Sequence, residues 1–169
     1  VGDAGGHVDF PFGIRLARHN LAATPTSSSD FDGDGLPDYA VFRPSTGVWY
    51  VLRSSDNGVQ ISQFGANGDV PVDGDFDGDG RTDLAVFRPS AGQWWVNRSS
   101  SGAAFAVQFG QNTDKPAVGD FDKDGRTDIA FWRPATGTWT VLRSSDGFTS
   151  YFGVPFGASG DIPIQAAPQ

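Results

Sequence analysis

Asp75-Phe76-Asp77-Gly78-Asp79-Gly80-Arg81-Thr82-Asp83 decides the reading of this chain, because the same nine-residue pattern occurs three times. The other copies are Asp30-Phe31-Asp32-Gly33-Asp34-Gly35-Leu36-Pro37-Asp38 and Asp120-Phe121-Asp122-Lys123-Asp124-Gly125-Arg126-Thr127-Asp128. They start at residues 30, 75 and 120, a step of 45 that never slips. Aspartates at positions 1, 3, 5 and 9 of one loop repel each other. Two like charges ~4 Å apart cost about 4 kcal/mol at an effective dielectric of about 20. A hard cation with a flexible shell of about six to eight oxygens removes that cost, and calcium fits. The expected side-chain ligands are Asp30, Asp32, Asp34 and Asp38; Asp75, Asp77, Asp79 and Asp83; and Asp120, Asp122, Asp124 and Asp128. The backbone carbonyl at position 7 (Leu36, Arg81 or Arg126) is expected as a fifth ligand of each of three Ca2+ ions.

The first half of the loop matches D-x-D-x-D-G, in which the sixth-position glycine makes the sharp turn. An EF-hand would then place a bidentate Glu at position 12. Val41, Val86 and Phe131 stand there instead. Each loop leads into Tyr39-Ala-Val-Phe, Leu84-Ala-Val-Phe or Ile129-Ala-Phe-Trp, which are β-forming runs, so the loop opens a strand and not a helix. Asp and Gly favour turns without any metal. Three copies that keep all their aspartates point beyond a turn preference.

Composition agrees. All 20 acidic residues are Asp, and the formal net charge is −8. Three bound Ca2+ would bring the chain near −2. The acidity is mostly ligand charge, and the scattered Lys and Arg form no patch for a nucleic-acid backbone. The chain has no Cys, which excludes disulfides, zinc–thiolate sites and cysteine nucleophiles. No run is apolar enough to span a membrane as a helix. Abundant Gly, Thr, Val and aromatics indicate an all-β fold.

Other residues keep the step of 45: Arg43, Arg88 and Arg133; Gly47, Gly92 and Gly137; Trp49, Trp94 and Trp139; and the Arg-Ser-Ser runs at 53, 98 and 143. Phe64-Gly65 and Phe109-Gly110 obey it, whereas Phe156-Gly157 comes 47 on, a two-residue insertion. Asp69-Val-Pro71, Asp114-Lys-Pro116 and Asp161-Ile-Pro163 close the units. Period-2 patterning in the middle unit predicts strands over about Val70–Asp73, Asp83–Arg88, Gln93–Arg98 and Ala104–Phe109, the acidic loop joining the first two. Four antiparallel strands every ~45 residues is the period of a β-propeller blade. The units are residues 30–74, 75–119 and 120–169, the last with a terminal strand; residues 1–29 form a divergent N-terminal segment.

D-x-D-x-D-G-x-x-D between strands, with F-G and a closing G-D, resembles the FG-GAP or VCBS-type repeat of integrin-α propellers and many secreted bacterial proteins. The resemblance covers about residues 24–165. It implies four-stranded blades, structural Ca2+ in the first interstrand loop held by the twelve aspartates named above, and an extracellular role in adhesion or ligand binding. Propellers of that family usually carry seven blades, and this chain has three.

Three blades cannot close a ring, which takes about four to eight. Open sheet edges invite pairing. The expectation is self-association into a homo-oligomer or filament, with Val8–Phe12 donated to a neighbouring copy. The rivals are a reduced fourth blade built from both ends of one chain, and a piece of a longer propeller. The function expected is a non-enzymatic, extracellular structural, assembly or adhesion module. The alternative is a calcium-dependent lectin with a glycan or cell-surface partner, in which Trp95 is the exposed contact. His7 and His19 have no partners in the pattern that would make a catalytic triad. Trp49, Trp94 and Trp139 are expected in the packing between blades.

Overall fold

The computed structural model describes residues 29–164. His7, His19, the segment Val8–Phe12 and the rest of the N-terminal stretch before Ser29 lie outside them.

The fold is all-β. Among the described residues three separate antiparallel sheets follow one another along the chain, and none closes into a barrel. The first holds β1 (Tyr39–Arg43), β2 (Val48–Leu52) and β3 (Val59–Gln63). The second is β4 (Val70–Gly74), β5 (Asp83–Arg88), β6 (Gln93–Asn97) and β7 (Ala104–Gln108), in that order. The third is β8 (Lys115–Gly119), β9 (Asp128–Arg133), β10 (Thr138–Leu142) and β11 (Tyr151–Pro155). These are propeller-type blades, and the second has the strand bounds expected from its sequence to within a residue or two. The first blade shows three strands, and β1 is its edge, among the described residues.

Each blade is tied by the same short-range devices. The β5–β6 hairpin pairs Phe87 with Trp94 and Arg88 with Gln93. Its turn ends at Gly92 (φ +60°), where a Cβ would lie 2.4 Å from the carbonyl oxygen of Gly110, so only glycine fits. The Phe109 N–H donates to the Gly92 carbonyl (3.0 Å), and the Trp94 Nε1–H donates to the Phe109 carbonyl (2.8 Å). Trp49 does the same to Phe64 (2.9 Å). In the third blade Trp132 takes this role, donating to Phe156 at 3.2 Å. Arg88 and Arg133 fork onto Asp69 and Asp114, two bonds of 2.7–2.8 Å each, which fixes the start of the first strand against the second.

The core sits between blades. Phe31, Trp49 and Val51 of the first blade pack with Leu84 and Val86 of the second. Val72, Phe87, Trp94 and Val96 of the second pack with Val118, Ile129 and Leu142 of the third. Trp49 and Trp94 are buried as expected, whereas Trp139 is half-buried in a third cluster that draws only on its own blade. Its outer face meets no further sheet among the described residues. Trp95 is half-buried too, packed beside the first seam with the Arg88 guanidinium 5.3 Å from its ring centroid, and is not the open platform expected of it. The two-residue insertion lengthens the β10–β11 turn and brings Phe148 onto Phe105 of the second blade, stacked at 5.3 Å.

Candidate metal centres

Each acidic loop joins the first and second strands of a blade or, in the first blade, precedes β1. Its conformation follows from its residues. Gly80 (φ +87°) and its cognates Gly35 and Gly125 take the left-handed conformation the turn requires. The carboxylate at position 1 gathers the N–H groups this exposes: Asp75 accepts from Gly78 (2.6 Å), Asp79 (3.2 Å) and Gly80 (2.9 Å). Asp30 and Asp120 hold their own loops in the same way. The carboxylate at position 9 ties the loop's two ends: Asp83 Oδ2 accepts from the Phe76 N–H at 2.8 Å, and its Oδ1 from the Ser99 N–H at 2.7 Å.

Three sets of carboxylate oxygens result, each within 4.8 Å of one another: Asp30, Asp32 and Asp38; Asp75, Asp77 and Asp83; Asp120, Asp122 and Asp128. Positions 1, 3 and 9 are thus brought together. The position-5 aspartates, Asp34, Asp79 and Asp124, fall outside these sets. Each accepts the position-7 N–H (Leu36, Arg81, Arg126) at 2.8–2.9 Å and a serine hydroxyl from the β2–β3, β6–β7 or β10–β11 turn.

Those serines belong to the site, and only their Arg-Ser-Ser period marked them in the sequence. Ser55, Ser100 and Ser145 each donate to the position-3 carboxylate at 2.6 Å. Ser54, Ser99 and Ser144 donate through backbone N–H to position 9 at 2.7 Å. One turn therefore aims three of the four carboxylates of a loop.

The donor set fits a hard cation. No Lys or Arg pairs with a loop aspartate among the described residues, where the ion pairs are Arg53–Asp56, Arg88–Asp69 and Arg133–Asp114. Asp77 Oδ1 and Asp122 Oδ1 are buried and accept no hydrogen bond from the described residues. A buried carboxylate oxygen without a donor is costly, and an oxygen-seeking cation between positions 1, 3 and 9 supplies the missing partner.

Protons feel the same crowding. Burial pushes Asp83 up to about 6, and raises Asp75 and Asp128 as well. A raised folded-state pKa gives stability that is present below the unfolded value and lost as pH rises through the folded one. In calcium-free buffer the melting temperature is therefore expected to fall between pH 5 and pH 7.5. With calcium present the sign inverts, because protons then compete with the cation. Asp32, Asp56 and Asp146 are lowered, Asp146 to about 2, and titrate below this window. Thermal melts of the wild type and Asp83→Asn at both pH values isolate the effect of Asp83.

Successive loops are coupled. The Thr82 N–H donates to the Asp30 carbonyl and the Thr127 N–H to the Asp75 carbonyl, both at 2.7 Å. Arg81 lies across Gly33, where a Cβ would come within 2.9 Å of its Nε, and Arg126 lies likewise across Gly78.

Residues 75–131, from the second acidic loop into β9, match the FG-GAP-like repeat. No curated protein and no solved structure gives a significant match. The matched loop, its Arg-Pro step and its Trp recur one period earlier in residues 30–74.

Proposed function

We propose that the chain is a calcium-binding, extracellular repeat module whose three Ca2+ ions brace the joints between blades, with a structural or adhesion role and no catalytic one. The buried, donorless Oδ1 of Asp77 within a carboxylate triplet is the observation that carries this reading. The FG-GAP-like match supports it, since such repeats are typical of extracellular adhesion proteins. No helix among the described residues is long and apolar enough to cross a membrane. Calcium at such sites serves the fold: it offsets two of the three charges of each triplet, while Ser54, Ser99, Ser144 and their neighbours hold the carboxylates in place. Fifth-position aspartates and seventh-position carbonyls complete the proposed shell. The lectin alternative loses the residue on which it rested, because Trp95 is half-buried with Arg88 over its ring.

Calcium titration calorimetry tests the reading. The wild type is expected to take up three equivalents, and Asp77→Ala two. In calcium-free buffer Asp77→Ala should be no less stable than the wild type, because it relieves repulsion. A variant that binds as much calcium as the wild type would show that Asp77 is a turn residue only.

A further inference from the structure

The two ends of the described fold are complementary in strand, ion pair and sheet face. The first blade lacks a first strand among the described residues, and an open cleft of about 250 Å3 lies beside β1, lined by Phe31, Ala40, Phe42, Trp49, Val72 and others. After β11 the chain runs through Asp161-Ile162-Pro163-Ile164, the cognate of Asp69-Val70-Pro71-Val72, which opens the second blade. This segment pairs with no strand among the described residues, and Ile162 and Ile164 are each 82% exposed, whereas Val72 and Ala117, the cognates of Ile164, are buried.

The ion pairs show the same offset. Arg88 and Arg133 use Nε and Nη2 to grip Asp69 and Asp114. The residue one period before Asp69 is Thr24, which offers Arg43 no carboxylate. Arg43 lies over Tyr50 (4.6 Å) as Arg88 lies over Trp95, and bonds the Tyr50 hydroxyl through Nη1. Its Nε and Nη2 contact no carboxylate among the described residues. Asp161 is the converse: it folds its own turn by accepting from the Ala158 N–H (2.8 Å), as Asp114 does from Gln111, but meets no arginine among the described residues.

The sheet faces complete the pattern. Tyr39 (79% exposed) and Val41 (64%) are cognates of Leu84 and Val86, which are buried against the blade before them. At the other end, half-buried Trp139 occupies the place that in Trp94 is covered by the following blade. The loops agree in part. Leu36 and Lys123 stand where Arg lies across Gly at the internal seams, so the glycine contact is not needed, but Pro37 has no N–H to give the Asp120 carbonyl.

We infer that the chain self-associates head to tail. The segment Asp161–Ile164 of one copy adds to the β1 edge of the next, Asp161 forks onto Arg43, Ile164 fills the cleft, and the third blade stacks on that copy's first. Carrying over the β4–β5 register pairs Ile162 with Phe42 and Ile164 with Ala40. The segment leaves its own third blade through the same turn as β4 and β8 leave the blades before them: the Asp161 N–H donates to the Ala158 carbonyl as Asp69 and Asp114 donate to Ala66 and Gln111, all at 3.1 Å. One copy cannot bend three blades into a ring. Two copies give six, within the range of about four to eight that closes; three would give nine. The closed product is a dimer joined by two identical seams.

The test measures mass by light scattering on the full chain in 10 mM calcium and in calcium-free buffer, with circular dichroism to verify folding. The wild type is expected at twice the 17.9 kDa chain mass. Arg43→Asp, Asp161→Arg and Ile164→Asp, all at exposed positions, should each halve it. An equimolar mixture of Arg43→Asp with Asp161→Arg should return to the dimer, because both seams then hold one Arg and one Asp. A monomeric wild type, as when the N-terminal segment fills the cleft within one chain, would overturn the proposal. So would single variants that remain dimeric, or a mixture that remains monomeric. Masses that climb past two chains with concentration would overturn closure. A titration that finds no calcium binding would sink the metal reading and leave the mixing result intact.

Discussion

Transfer from 10 mM calcium to calcium-free buffer at pH 7.5 is expected to strip most of the stability from this fold. A site that binds only the folded state adds RT ln(1 + [L]/Kd). With an extracellular-type Kd of ~10⁻⁴ M, that is about 2.7 kcal/mol per site in 10 mM calcium. Three sites would add roughly 8 kcal/mol, comparable to the whole stability of many domains, about 5–15 kcal/mol. Removal should also be cooperative across blades, because the Asp30 and Asp75 carbonyls accept from the next loop's threonine. A loop that loosens takes its neighbour's anchor with it. A thermal melt followed by circular dichroism reads this directly. Superimposable curves with and without calcium would mean that backbone and serine hydrogen bonds suffice to hold the loops.

Trp94→Ala is expected to cost about 3–5 kcal/mol, the usual range for truncating a buried large aromatic. Trp94 is fully buried, packs 5.1 Å from Phe87, and joins the seam formed with Val118, Ile129 and Leu142. The substitution also removes the donor to the Phe109 carbonyl. It therefore weakens one blade internally and uncouples it from the next. Denaturant titration in saturating calcium measures the cost, and a change below about 1 kcal/mol would contradict the placement of the core between blades.

The blade was legible because its devices are local and periodic. Asp-Gly loops, the Gly92 turn and Trp94 each recur at 45 residues, and local rules assign each of them to a turn or a strand. The arginine at the end of the second strand was legible as a periodic residue, but its partner was not: Arg88 and Arg133 take Asp69 and Asp114, while Arg43 bonds the Tyr50 hydroxyl. Which carboxylates converge was less legible. Spacing puts four aspartates in one loop, but the fifth-position side chain is drawn off by serines that come 20 residues later. That contact is made by sheet pairing, which brings the turn after the third strand beside the loop before the second. The role of the insertion was not readable either, since Phe148 meets Phe105 only once two blades have stacked. Trp95 misled for a related reason. Its position varies between repeats (Tyr50, Trp95, Thr140), which reads as an outward face, but Trp95 packs beside the seam with the first blade.

A crystal structure determined in calcium, with the cation located from its anomalous signal, tests the central claim most directly. Three peaks are expected, each within about 2.3–2.6 Å of carboxylate oxygens at positions 1, 3 and 9 of its loop. The distances from each ion to Asp34, Asp79 and Asp124, and to the carbonyls of Leu36, Arg81 and Arg126, would then fix the rest of the shell. Loops that keep Asp77 Oδ1 and Asp122 Oδ1 without a metal partner in saturating calcium would contradict the assignment.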